Sequence, residues 1–134
     1  MIYADSGIIM RWVEGVETVR APIQASWLQL APADRVFITS RLARLECRCK
    51  PLRDHDDALL GLYDVFFAGR EVDLREIDAA VIEKATALRA ALRLKTPDAI
   101  HAATAMLAGA AAFWTTDMRF SRCPGLAVEV FRAV

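Results

Sequence analysis

Short apolar or β-branched runs recur along this chain with helix-length amphipathic segments between them, and that alternation constrains the fold more than any other feature. Ile2-Tyr3-Ala4 reads as a strand that stops at Asp5. Further strands are expected at Arg35–Thr39, behind Pro32-Ala33-Asp34, at Glu71–Leu74, at Ala111–Thr115 and at Leu126–Phe131. Between them lies an amphipathic stretch from Ile8 to Val13, with Ser6 as its N-cap. A second helix runs from about Val16 to Leu30, with Pro22 near its start or in a break. Leu42–Leu52 carries apolar residues at 42, 45 and 49, and Pro51 should end it near Lys50. His55–Phe67 is closed by Gly69, and Ile77–Leu92 has apolar residues at 77, 81, 85, 88 and 92. Thr96 caps the next helix, with Pro97 first inside, Asp98 in the first turn and the end at Gly109. A loop with Asp117, Pro124 and Gly125 leads to the final strand. This order predicts an α/β fold, three-layered α/β/α, with a mainly parallel central sheet flanked by helices.

The 134 residues are expected to form one domain, spanning 1–134. With 55% hydrophobic and 25% charged residues the chain is not disordered, and its apolar surplus leaves surface for a partner or a second copy. Seventeen basic and seventeen acidic residues give zero net charge, so nucleic-acid binding cannot be argued from an overall basic domain. No apolar run reaches the ~18 residues of a membrane span, and MIYADSG is not a secretory signal, so a cytoplasmic protein without membrane contact is expected. Cys47, Cys49 and Cys123 fit neither a disulfide framework nor a C-x-x-C site and are read as reduced and non-catalytic.

In parallel α/β sheets ligands sit at the carboxyl ends of the strands, where the strand order reverses. Asp5 follows the first strand, Asp117 follows the strand ending near Thr115, and Asp98 opens the helix leading into that strand. Glu46, in the helix after the second strand, is the fourth acid able to reach the same rim. Like charges this close oppose one another's ionisation, and a hard divalent cation with oxygen ligands, magnesium or manganese, resolves the conflict. Such ions polarise phosphates and activate water, so the pattern points to metal-assisted phosphodiester hydrolysis. Each acid also has a plainer reading. Asp5 could hydrogen-bond a helix N-terminus, Asp98 complement a helix dipole, Asp117 occupy an ordinary turn and Glu46 pair with an arginine. His101, one turn beyond Asp98, is assigned to a packed or rim face rather than to acid–base work. Arg41, Arg44, Arg48, Arg119 and Arg122 are either RNA-phosphate contacts or solvated cations. Trp12 and Trp27 either line a partner groove or pack in the core.

I-Y-A-D-S-G at 2–7, R-L-E at 44–46, T-P-D-A-I-H-A-A-T-A at 96–105 and W-T-T-D-M-R-F at 114–120 together resemble the PIN-domain ribonucleases, in the order and spacing of the VapC-like toxins of VapBC toxin–antitoxin pairs. The resemblance implies that Asp5, Glu46, Asp98 and Asp117 bind Mg2+ or Mn2+ and carry catalysis in an endoribonuclease. It further implies a small antitoxin wrapped over the early helices and a homodimer. Ser6 fits the family's hydroxyl after the first Asp, and Thr115 or Thr116 would orient water or phosphate at the metal. Some relatives carry a further acid shortly after the fourth position, where this chain has Met118 and Arg119, which leaves the metal count at one or two. The rival from another class is a catalytically silent PIN-like module that binds RNA or protein. A phosphatase or receiver domain fits poorly: Asp5 is followed by Ser6-Gly7 rather than by x-Asp, and no receiver lysine can be placed.

Overall fold

The computed structural model describes residues 1–132. Five strands form one sheet: β1 (Ile2–Ala4), β2 (Phe37–Ser40), β3 (Val72–Arg75), β4 (Ala112–Thr115) and β5 (Val128–Val130). Their order is β3-β2-β1-β4-β5 and every pairing is parallel, with Ile2 opposite both Phe37 and Ala112. Six helices cover the sheet: α1 (Ser6–Glu14), α2 (Glu17–Gln29), α3 (Arg41–Arg53), α4 (Asp57–Phe67), α5 (Ala79–Leu92) and α6 (Thr96–Leu107). The α/β/α expectation is met.

The period-two alternation of strand side chains divides the core. Ile2, Ala4, Phe37 and Trp114 pack on one face with Ile8, Ile9, Ile23, Trp27, Cys47 and Tyr63 from α1 to α4. Tyr3, Ile38 and Phe113 pack on the other with Val81, Ala85 and Leu88 of α5 and the alanines of α6. Those small residues, Ala99, Ala102, Ala103 and Ala105, are all buried and bring α6 close to the sheet. The apolar positions 81, 85 and 88 of α5 are buried as expected. Trp27 and Trp12 meet edge to face, 5.5 Å between ring centroids, and both pack on Phe37; Trp27 is buried core, whereas Trp12 is half-buried and lines a surface pocket with Val65 and Phe66.

Several boundaries differ from expectation for local reasons. Asp5, not Ser6, caps α1, its Oδ1 accepting from the Ile8 amide at 3.1 Å. Ser6 is the first helical residue. Lys95, not Thr96, is the N-cap of α6, without a side-chain cap bond, and Thr96 lies inside the helix. α2 runs through Pro22 unbroken, because the carbonyl left without a donor is that of Thr18, in the exposed first turn where water can reach it. α3 continues past Lys50 to Arg53 with Pro51 buried in its last turn. Its buried face is Ala43, Cys47 and Pro51, whereas Leu45 and Cys49 are exposed, so the expected apolar stripe at 42, 45 and 49 is rotated. α4 begins at Asp57 rather than His55, capped by Asp56. Pro32–Asp34, the boundary before β2, and Met118–Arg122, read as loop, are short 3-10 helices. No helix among the described residues is long and apolar enough to cross a membrane.

Candidate active site

The strand order reverses at β1: β2 and β3 lie on one side, β4 and β5 on the other. The carboxyl ends of β1 and β4 therefore flank the crevice where parallel α/β sheets take ligands. Asp5 follows β1 and Asp117 follows β4 across that crevice. Asp98 enters from the first turn of α6 and Glu46 from the second turn of α3.

Asp5 is the buried member, 6% exposed. One oxygen accepts from the Ile8 amide and the other from the Thr115 hydroxyl. Burial pushes its carboxyl above the usual aspartate range; Thr115, His101 and the Ile8 amide oppose that shift, and Glu46 adds to it. Asp98 is raised as well, again mainly by burial, with Arg119 opposing and the charges of Asp117 and Glu46 adding. The charge of Glu46 thus bears on both of these acids, and that of Asp117 on Asp98.

Asp117 has the opposite surroundings. It caps the 3-10 turn by accepting from the Arg119 amide at 2.9 Å, and the guanidinium of Arg119 chelates it through Nε at 2.9 and 3.1 Å. Those bonds hold its carboxyl below the usual range. Nη2 of Arg119 also lies 3.6 Å from Oδ2 of Asp98, so a guanidinium bridges the two acids. Among the described residues no three His, Cys, Asp or Glu side chains stand in a ready-made metal cluster. The donor set nevertheless has the chemistry a hard divalent ion takes: it is all carboxylate oxygen, and burial raises two of its members.

The hydroxyls divide by role. The side chain of Thr115 is fully buried; it donates to Asp5 and accepts the Asp117 amide at 3.0 Å, tying the two acids together instead of facing water or phosphate. Thr116 lies over Gly7, where an added Cβ would come within 2.5 Å of its Oγ1. Ser6 places its carbonyl 3.9 Å from Sγ of Cys47. Burial pushes the Cys47 thiol far up, which keeps it inert.

His101 is the residue that sequence reasoning set aside. It is 3% exposed and bridges the Tyr3 hydroxyl to Glu46, at 2.7 Å on each ring nitrogen. Two signals were available: Tyr3 lies two residues before Asp5, and His101 lies one helical turn after Asp98. Of the arginines, Arg41 pairs with Glu76, Arg44 and Arg48 with Asp64, and Arg119 with Asp98 and Asp117.

The PIN domain family model matches residues 2–126, and the chain belongs to that family. Its fold is shared by several toxin–antitoxin proteins of known structure. VapBC2 from Rickettsia felis, bound to a promoter DNA fragment, is similar with a TM-score of 0.76 at 16% identity over 98% of this chain and 99% of that one. A toxin–antitoxin complex from Klebsiella pneumoniae gives 0.71 at 21% identity, covering both chains fully. The sarcin–ricin loop cleaving toxin VapC20 from Mycobacterium tuberculosis gives 0.73 at 16% identity over 90% and 93%. No curated protein sequence matches the chain.

Proposed function

We propose that this chain is a magnesium- or manganese-dependent endoribonuclease, the toxin of a type II toxin–antitoxin pair. What supports the reading is the place of Asp5 and Asp117 after β1 and β4 at the switch point, with Asp98 linked to Asp117 through Arg119 and Glu46 adding its charge to Asp5 and Asp98. A bound Mg2+ or Mn2+ would polarise an RNA phosphate and acidify water for attack on phosphorus. Asp5 and Asp98 would supply the inner oxygens, with Glu46 and Asp117 at the more exposed edge. Thr115 would keep Asp5 and the Asp117 loop in register. Ser6 and Thr116, beside Asp5, would face water or phosphate.

The partner proposed is a small antitoxin, as in the VapBC complexes of similar fold, and the chain is proposed to form a homodimer. Leu28 of α2, Leu45 and Leu52 of α3 and Leu62 and Val65 of α4 are exposed apolar side chains on the helices covering one face of the sheet. They supply apolar surface for such contacts.

One observation favours a second reading, a catalytically silent binding module: Arg119 already provides a cation between Asp98 and Asp117. Incubation with structured RNA and manganese separates the two. The nuclease reading expects cleavage that chelator abolishes and that the double variant Asp5→Asn, Asp98→Asn lacks. Full activity in that variant would sink it, and RNA binding without cleavage would favour the module.

A further inference from the structure

Glu46 is a long side chain on a partly exposed stretch of α3, with three rotatable bonds and the exposed Leu45 and Cys49 nearby. Left to itself it would sample many rotamers, and holding it at one site would cost conformational entropy. In the fold it is held. Nε2 of His101 lies 2.7 Å from its Oε1, and Nδ1 of the same ring lies 2.7 Å from the Tyr3 hydroxyl. Tyr3 is wholly buried in β1, stacked on Phe113 at 5.1 Å and edge-on to His101 at 5.8 Å. The buried alanines of α6 set this imidazole against the sheet.

A carboxylate oxygen only accepts, so Nε2–H of His101 donates to Oε1 of Glu46, while Nδ1 meets the Tyr3 hydroxyl, a group able to donate or to accept. Oε2 of Glu46 has no protein hydrogen bond among the described residues. A chain of three side chains from β1, α6 and α3 thus fixes one carboxylate oxygen and leaves the other for a ligand.

We infer that Tyr3 and His101 are positioning residues that pre-orient Glu46 toward a divalent cation, an inference resting on the proposed metal-dependent reading of the site. Outer groups that orient a metal-ligating side chain are worth about ten- to hundredfold in metal affinity. His101 therefore acts through Glu46 and is not itself a catalytic residue.

The test is manganese titration of the purified full chain by calorimetry. His101→Leu keeps the volume and removes both hydrogen bonds, and should weaken binding about ten- to hundredfold. His101→Gln keeps an N–H donor near the Nε2 position and should recover most of that loss. In a Glu46→Gln background, His101→Leu should weaken binding no further. Tyr3→Phe, which removes one hydroxyl and little else, should weaken binding about two- to tenfold and serves if His101→Leu does not fold. Nitrogen NMR of the metal-free protein should find a proton on Nε2 of His101. Wild-type affinity in folded His101→Leu, equal losses in the Gln and Leu variants, or an Nε2 without a proton would overturn the positioning role alone. Wild type that binds no manganese would overturn it together with the metal-dependent reading.

Discussion

Thr115→Val replaces a hydroxyl by a methyl of nearly the same shape at a fully buried position, and it isolates the bond that joins the two strand-end acids. The hydroxyl donates to Asp5 and accepts the Asp117 amide at 3.0 Å. A hydrogen bond to a carboxylate is worth about 1.5–3 kcal/mol and a neutral one about 0.5–1.5, and valine leaves both partners unmatched. Together these give a loss of about 2–4.5 kcal/mol. For a chain of this size each kcal/mol moves Tm by about 3–4 °C, so the midpoint should fall by about 6–18 °C. Thr115→Ser is the control. It keeps the hydroxyl and loses one methyl, at about 1 kcal/mol. Thermal unfolding without divalent ions, followed by circular dichroism, measures all three proteins. A valine variant as stable as wild type, or no less stable than the serine variant, would refute the link between Asp5 and the Asp117 loop.

Gly7→Ala should disturb the same rim from the other side, since its Cβ would come within 2.5 Å of Thr116 Oγ1 on a stiff β-branched side chain. Manganese-dependent cleavage should fall at least about tenfold, because displacements near 1 Å at a reacting site cost that much or more; unchanged activity would contradict the contact. Asp117 has a folded-state pKa depressed by Arg119, so its contribution to stability is complete above the unfolded aspartate range and is lost as pH falls through the folded value. Arg119→Gln should flatten the acid limb of a Tm–pH series, and an unchanged limb would count against the pairing. Because that guanidinium bridges Asp98 and Asp117, the same substitution should also tighten manganese binding, and weaker binding would show that Arg119 does not compete for the site.

Most of the architecture was legible because it rests on local signals that agree. The strand runs, the caps and turn residues, and the 81/85/88 stripe of α5 all point to the same layered sheet. The rotated face of α3 was not legible. Ala43 and Cys47 are small residues that owe their burial to close packing, whereas Leu45, the more hydrophobic residue, is left outside. The start of α1 failed by one residue because two capping residues stand side by side: Asp5 and Ser6 compete for one role, and only the sheet geometry puts Asp5 at the cap. The acidic positions could be read from their places after strands and at a helix start. The partners that tune them could not, because Tyr3–His101 and Asp5–Thr115 join residues 98 and 110 positions apart in the chain. Arg119 read as a departure from the family pattern; its bridge between two acids appears only when the turn after β4 folds back on α6.

Manganese binding by calorimetry at neutral pH, wild type against Asp98→Asn, decides whether these acids hold a cation. The wild type should bind, and Asp98→Asn should largely lose binding while staying folded. Equal binding by both proteins would contradict the assignment of Asp98, and binding by neither would contradict the metal-dependent reading itself.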